Sequence, residues 1–297
     1  MLGPLRSQQS VSFHNGGAMK NVDLATVAGF GDEWSRFNHA DRDDAELVKF
    51  HASYFHELFP WSELPKNAVG ADIGCGSGRV AAVSRRCFSG HFHLIDPALA
   101  ALDVARRHLG HRSDVEFHHA SADDMPFADG SLDFAYCLGV LHHVPDTESA
   151  LRNCVRKLKP GAPFLLYLYY RFDGLPWWFK TIWKVSDFLR LAICRLPRPV
   201  QNGLTDVIAA LVYWPLARGA RLWERAFGAR GLERWPLSFY RDRSFYMLRT
   251  DARDRFGTRL EKRYTQPEMR VLMEQAGLRD VRFQSRAPYW TALGYKA

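Results

Sequence analysis

The sequence predicts an α/β protein whose core is a doubly wound parallel sheet. Three observations support this fold class. Short apolar strands alternate with helical patterns between residues 68 and 170. A glycine-rich turn joins the first of these strands to the first helix. The alternation stops after residue 170 and resumes near residue 265, which indicates an insertion. Repeated strand–helix units give a sheet covered by helices on both faces.

The elements of the repeating part can be assigned in order. Before it, Leu47, Phe50 and Tyr54 recur every three or four residues and predict a helix over 43–59. The core strands are predicted at 68–73, 91–95, 115–119, 132–138 and 162–170, and the core helices at 79–88, 97–108 and 146–158. Thr265, with Glu268 three residues later, is a capping box that predicts a helix over 266–275. Strand-like runs follow at 278–285 and 289–295.

This pattern divides the chain into five segments. The insertion contains most of the tryptophans and about 18 basic against about nine acidic residues, so it accounts for the formal net charge of +8. The predicted segments are a flexible leader (1–28), N-terminal cap helices (29–67), the core (68–170), a helical, basic and aromatic insertion (171–262) and the return of the core (263–297).

Composition excludes several classes of protein. The chain of 297 residues is 47% hydrophobic, enough for a large core, but its longest apolar run, 208–217, is too short to span a membrane. The N-terminus lacks the apolar segment of a secretion signal, and the five cysteines show no C-x-x-C spacing. We therefore expect a reduced, cytoplasmic protein. The histidines have no carboxylate or cysteine partner at ligand spacing along the chain, so no metal site is predicted.

The most informative motif is the glycine turn at 69–78. Gly74, Gly76 and Gly78 follow a buried strand and an acid, Asp72, and Asp96 ends the next strand about twenty residues later. Bare backbone in such a turn allows close approach of a ligand, and an acid at the end of the second strand accepts the hydroxyls of a ribose. The spacing G-x-G-x-G lacks the third glycine of the dinucleotide fingerprint, which makes a pyrophosphate the weaker interpretation.

From these motifs the chain resembles the class I S-adenosylmethionine-dependent methyltransferases, in their small-molecule branch. The resemblance covers about half of the chain, from 69 to 170 and again from 265. It is carried by five ordered motifs: the glycine turn with Leu94-Ile-Asp-Pro97, Ser121-Ala-Asp-Asp-Met-Pro-Phe127, Ser131-Leu-Asp-Phe-Ala-Tyr136, Gly139-Val-Leu-His-His-Val144 and Leu158-Lys-Pro-Gly161. It implies a Rossmann-like sheet of seven strands, mostly parallel, with an antiparallel C-terminal strand and a helical insertion after the fifth strand.

The resemblance also assigns a cofactor, S-adenosyl-L-methionine, and the residues that hold it. Asp72 and the three glycines are expected at its amino acid portion. Asp96, followed by Pro97, is expected at the ribose, although a helix-capping role for this acid is an alternative. Ser121 stands where the family often has an acid, which leaves the partner of the adenine amine open between Ser121, Asp123 and Asp124. The expected cofactor residues are Trp34, Asp72, Gly74, Gly76, Gly78, Asp96, Pro97, Ser121, Ala122, Asp123, Leu138 and His142.

The predicted reaction is methyl transfer to O, N or C of a hydrophobic or aromatic small molecule by in-line displacement. The candidate catalytic residues are His142, His143, Tyr169 and Tyr246. Three alternatives stay open: a membrane-associated lipid acceptor, an RNA acceptor, or a non-catalytic protein that binds the cofactor. The segment 137–143 lacks the Asn/Asp-Pro-Pro-aromatic turn that holds a flipped base, which argues against nucleobase amines.

The insertion allows three interpretations. Its helices form a lid over the acceptor, lie on a membrane surface with their basic side on anionic lipid, or form the interface of a homodimer. Arg, Asp and Tyr residues concentrated at 240–258 suit either an anion site or a network that braces the lid.

Overall fold

The computed structural model describes residues 12–13, 19–37, 44–172, 174–285 and 290–297. Its strands are β1 (Ser12–Phe13), β2 (Ala68–Ile73), β3 (Gly90–Asp96), β4 (Val115–His119), β5 (Phe134–Leu138), β6 (Pro163–Tyr167), β7 (Leu278–Phe283) and β8 (Thr291–Lys296). Its α-helices are α1 (Leu24–Arg36), α2 (Asp44–Phe55), α3 (Arg79–Ser84), α4 (Leu99–Leu109), α5 (Thr147–Arg156), α6 (Trp177–Ile193), α7 (Arg198–Ile208), α8 (Trp214–Phe227), α9 (Phe245–Gly257) and α10 (Gln266–Gln275).

The strands form one sheet in the order β1-β4-β3-β2-β5-β6-β8-β7. The pairs from β4 to β6 are parallel, whereas β8 runs antiparallel to both β6 and β7. The strand order reverses between β2 and β5, which is where ligands bind in sheets of this kind. The predicted seven-stranded, doubly wound fold is confirmed, and the two-residue β1 extends the sheet beyond β4.

Apolar side chains cover both faces of the sheet. Ala71 and Ile73 of β2 pack with α5 and α10 on one face, while Phe92 and Leu94 of β3 pack with α2, α3 and α4 on the other. Burial on both faces explains why these strands read as continuous apolar runs in the sequence. A third apolar cluster joins the helices of the insertion around Tyr213 and Leu248.

The insertion lies between β6 and α10 and packs against the N-terminal helix α1. A π-helical turn at Ala209–Tyr213 joins α7 to α8. The fully buried Arg253 of α9 donates to the Asp32 carboxylate of α1 at 2.9 Å. Because an unpaired buried charge is costly, Arg253 must keep its ion pair with Asp32 in the folded protein. None of the helices in these ranges is both long and apolar enough to cross a membrane.

The predicted leader contains ordered elements. β1 pairs with β4, and α1 begins at Leu24, where the Asp23 side chain accepts a hydrogen bond from Thr26 N at 2.7 Å. An acid at this position satisfies one of the free N–H groups of a first helical turn. Residues 1–11 and 14–18 of the leader, Asp43 of the predicted second helix and Tyr289 of the last strand lie outside the described residues.

Candidate active site

The glycine turn follows β2 and is held against the end of β3. Gly74 N and Cys75 N both donate to Ile95 O, at 2.8 and 3.0 Å. Gly74 and Gly76 have positive φ angles of 78° and 53°, which favour glycine. A Cβ on Gly74 would lie 2.3 Å from Val140 Cγ2, and one on Gly76 would lie 2.9 Å from the Trp34 indole. These two positions therefore require bare backbone.

Two buried carboxylates flank this turn. Asp96 accepts hydrogen bonds from Gly76 N at 2.9 Å and Ala98 N at 2.8 Å, one on each oxygen. Burial raises its pKa to about 6. Asp72 accepts from the Tyr136 hydroxyl at 3.0 Å, and burial, with a smaller contribution from Asp96, raises the pKa of Asp72 to about 8. Each acid keeps free lone pairs for further donors.

One cavity of about 490 Å³ begins at these acids and runs to the insertion. Its cofactor end is lined by Trp34, Asp72, Gly74, Gly76, Arg79, Asp96, Pro97, Leu138 and Gly139. Its far end is lined by residues of α1, α6, the π-helical turn, the 3-10 turn Ser238–Tyr240 and α9, among them Glu33, Trp183, Tyr213, Tyr240, Asp251, Asp254 and Arg255. The volume lies within the range of about 300–1,000 Å³ that small-molecule sites usually occupy.

The far end combines aromatic walls with three acids. Burial, then Asp254, raises the pKa of Glu33, whose Oε1 is buried and has no hydrogen-bond partner within the part of the chain that the structure describes. Asp251 accepts from the Tyr240 hydroxyl, and burial raises its pKa to about 7. Acids in such surroundings favour a ligand that brings hydrogen-bond donors.

His143 also lines the cavity. Its Nδ1 is 2.6 Å from Leu260 O, an acceptor, so Nδ1 carries the proton and Nε2 carries the lone pair. Nε2 is buried and has no partner among the described residues. Burial lowers the pKa of this imidazole, which is therefore neutral at pH 7. The Phe30 ring packs at 5.1 Å from it, centroid to centroid.

Tyr169 lies beside His143 and is held by an acid. Its hydroxyl donates to Asp254 Oδ2 at 2.7 Å, and burial raises its pKa well above the usual value. The hydroxyl therefore stays protonated and acts as a donor rather than a base.

The structure brings nine of the predicted site residues to this cavity. They are Trp34, Asp72, Gly74, Gly76, Asp96, Pro97, Leu138, His143 and Tyr169. Six others do not line it: Gly78, Ser121, Ala122, Asp123, His142 and Tyr246.

Packing explains three of these six positions. A Cβ on Gly78 would lie 3.1 Å from Ala105 Cβ, so this glycine allows α3 to approach α4. His142 is fully buried, and its ring is tilted against the Tyr169 ring at 3.9 Å between centroids. Tyr246 packs edge-on against the Phe37 ring.

The predicted adenine loop is occupied by contacts within the protein. The Ser121 hydroxyl donates to Lys20 O at 2.9 Å, and Asp123 accepts from the Asn21 amide. Ala122 O accepts from Asn153 Nδ2 at 2.6 Å. The N-terminal segment thus lies across this loop.

Sequence reasoning missed Glu33 and the start of the chain, and it assigned the segment 240–258 to an anion site or a bracing network rather than to a group of acids in a cavity. Glu33 has no motif around it, and it meets Asp251 and Asp254 only because α1 packs against α9. Val22, Asp23, Thr26 and Val27 line the cavity from the segment predicted to be a flexible leader. The Asp23–Thr26 cap was the available signal, because an acid before a helical run marks a helix start.

Comparison with known proteins identifies the core. The sequence model of the family described as Methyltransferase domain matches residues 71–166, which hold the glycine turn, Asp96 and His143. This part of the chain is a class I S-adenosylmethionine-dependent methyltransferase domain. Its cofactor is S-adenosylmethionine, as the sequence predicts, and the match ends before the insertion.

Curated relatives share the methyltransferase domain. The ubiquinone biosynthesis O-methyltransferase of Hahella chejuensis is 32% identical over 147 residues, covering 48% of this chain and 60% of the relative. The enzyme of the same name from Aromatoleum aromaticum is 38% identical over 141 residues, covering 40% and 60%. The chain thus spans about three fifths of the length of these relatives.

Solved structures are similar at a lower sequence identity. An S-adenosylmethionine-dependent methyltransferase from Thermotoga maritima shares 17% identity with a TM-score of 0.46, covering 90% of this chain and 100% of the other. Human N-acetylserotonin methyltransferase shares 15% with a TM-score of 0.44, covering 91% and 55%.

Proposed function

We propose that this protein transfers the methyl group of S-adenosylmethionine to a hydroxyl of a small molecule. The observation that carries the proposal is the cavity that runs from the glycine turn to the insertion with His143 in its wall, whose Nε2 is buried and without a partner among the described residues. The names of the curated relatives, which are O-methyltransferases, support an oxygen acceptor over nitrogen or carbon. The comparisons give no support to an RNA or lipid acceptor.

The cofactor end fits the adenosyl amino acid in charge and shape. Asp96 offers both carboxylate oxygens to the two ribose hydroxyls while it keeps its backbone donors. Asp72 would hold the ammonium group of the cofactor, and Arg79, which also lines the cavity, would hold its carboxylate. The bare backbone at Gly74 and Gly76 leaves room for this portion.

The chain contributes alignment, exclusion of water and removal of a proton. When bound, S-adenosylmethionine supplies the methyl group on a positively charged sulfur, which makes it an intrinsically good donor. His143 Nε2 accepts the proton of the acceptor hydroxyl, and the Nδ1 hydrogen bond to Leu260 O holds the ring in the required tautomer. The Tyr169 hydroxyl donates its one proton to Asp254 and so positions this acid at the same wall.

The far end of the cavity defines the class of acceptor. Trp183, Tyr213 and Tyr240 offer aromatic surface, and Glu33 and Asp251 offer acceptors for hydrogen bonds. An acceptor with an aromatic or apolar body and more than one hydroxyl satisfies both sets of groups. The acceptor is thus a hydrophobic or aromatic molecule, as the sequence predicts, that also carries hydrogen-bond donor groups.

A transfer assay on a panel of phenols and catechols with methyl-labelled cofactor tests the proposal. We expect His143→Gln to lower transfer by about 100-fold or more, since a positioned general base contributes about 10²–10⁴-fold. Binding of S-adenosylhomocysteine should stay within twofold of the wild type, because the cofactor end is untouched. The exposed His111→Gln is the control. Transfer by His143→Gln at the wild-type rate would reject the role of His143, and no methylated product from any panel member would reject a phenolic acceptor.

The insertion also carries an apolar surface, for which we propose contact with an anionic membrane. Trp177, Phe188 and Leu211 are 79%, 73% and 72% exposed, and the exposed Lys180 and Lys184 lie on the same helix as the first two. Apolar and basic groups together suit a lipid headgroup region. The protein should sediment with phosphatidylserine-containing vesicles and not with phosphatidylcholine alone, and W177S/F188S should weaken binding. Vesicle-independent dimers in sedimentation equilibrium that the same variant dissociates would assign this surface to a homodimer interface instead.

A further inference from the structure

Three histidines and a glutamate meet on one face of the sheet, away from the cavity. His91 and His93 are two residues apart on β3, and Glu116 and His118 are two apart on β4. The register places Glu116 beside His93. Because side chains alternate along strands, all four point to the same face. The sequence could not predict this group, since the carboxylate comes from the neighbouring strand.

The distances within the group match those between the ligands of a metal ion. His91 Nε2 lies 3.3 Å and His93 Nδ1 lies 3.5 Å from Glu116 Oε2. Three ligand atoms, one each from His91, His93 and Glu116, lie within 4.8 Å of one another. His118 Nε2 lies 2.9 Å from His93 Nδ1 and 3.8 Å from Glu116 Oε1. A tetrahedral ion with bonds of about 2.0–2.1 Å separates its ligands by about 3.3 Å.

We infer that His91, His93, Glu116 and His118 form a binding site for a divalent transition-metal ion such as Zn²⁺. Imidazole nitrogens with one carboxylate are a donor set that suits zinc, nickel and cobalt.

The surroundings provide both a closed side and an entry path. The Phe127 ring packs against His93 and His118 at 4.6 and 5.0 Å between centroids. The side chains of His91 and Glu116 are 40% and 45% exposed, so an ion enters from their side. None of the four residues lines the cavity, and the ion would join β4 to β3, the strand that ends at Asp96 in the cavity wall. A structural role follows from this position.

Calorimetry with ZnCl₂ on untagged, chelator-treated protein tests the site directly. We expect one ion per chain with a dissociation constant in the micromolar range or below, and a higher Tm in the presence of Zn²⁺. Cobalt bound in its place should show the strong visible absorption of a tetrahedral complex. Glu116→Gln and His91→Ala, both at partly exposed positions, should weaken binding by about 30-fold or more. His111→Ala, at an exposed histidine elsewhere, should leave binding unchanged.

Two results would overturn the inference. One is the absence of saturable Zn²⁺ binding by the wild-type protein at micromolar concentrations. The other is binding that stays the same in Glu116→Gln and His91→Ala. Each variant should bind S-adenosylhomocysteine like the wild type, which verifies its fold independently of the metal.

Discussion

Replacing Asp96 by asparagine changes one atom of the cofactor site and tests how that site is built. Asp96 accepts one backbone hydrogen bond on each oxygen, from Gly76 N and Ala98 N, and the proposal assigns both oxygens to the ribose as well. Asparagine offers one oxygen and one NH₂ group, so the second oxygen becomes a donor. Either a backbone N–H or a ribose hydroxyl then faces another donor.

The expected loss of affinity follows from this count of acceptors. A hydrogen bond to a charged acceptor contributes about 1.5–3 kcal/mol, and losing one on binding lowers the affinity about 10- to 150-fold. The effect on stability is smaller, because the variant also removes a buried charge whose pKa burial raises to about 6. We therefore expect Tm to fall by only a few degrees.

Calorimetric titration with S-adenosylhomocysteine, together with a thermal melt, separates the two effects. Asp103→Asn on α4 is the matched control, since Asp103 is exposed and pairs only with Arg106 one turn away among the ion pairs of the described chain. The control should bind like the wild type. An affinity of Asp96→Asn within twofold of the wild type would refute the assignment of Asp96 to the ribose.

Three further predictions concern the glycine turn and its first acid. Gly74→Ala places a Cβ 2.3 Å from Val140 at a positive φ, and it should lower the free energy of unfolding in urea by about 2–5 kcal/mol. The control Gly130→Ala, also at a positive φ but with open space around it, should lower it by about 1 kcal/mol. Equal losses in the two variants would contradict the close approach at Gly74. Burial raises the pKa of Asp72 to about 8, and the ammonium group of the cofactor favours the ionised form of this acid. Asp72 should therefore release up to one proton when the cofactor binds at pH 7. The release should appear as a binding enthalpy that depends on the buffer, and it should disappear in Asp72→Asn. Because this folded-state pKa lies above the usual value of 3.8, the folded protein binds more protons than the unfolded chain between about pH 4 and 8. The contribution of Asp72 to stability therefore falls as the pH rises through that window. A wild type that gains stability there relative to Asp72→Asn would contradict the shift.

The core of the fold was predictable because each of its elements carries a local pattern. β2, β4 and α10 begin and end at the predicted residues. The predicted strand 162–170 was too long, since β6 ends at Tyr167. Tyr170 leaves the sheet and forms an isolated bridge with Tyr264, a contact between residues 94 positions apart that no local pattern reveals.

The candidate site also has one part that the sequence predicts and one part that it does not. The cofactor end was readable because Asp72, the glycines and Asp96 follow strands whose ends must meet at one edge of the sheet. The far end depends on how α1 packs against α9, through pairs such as Arg253 with Asp32, and this packing leaves no periodicity in the sequence. The choice between His142 and His143 required the structure, because two adjacent histidines differ only in the side to which each ring turns.

A crystal structure with S-adenosylhomocysteine tests most directly the claim that one cavity holds both the methyl donor and its acceptor. We predict that the ribose hydroxyls contact the Asp96 carboxylate and that the sulfur faces the part of the cavity that contains His143. A ligand bound away from Asp96, or one whose sulfur points away from His143, would contradict the account.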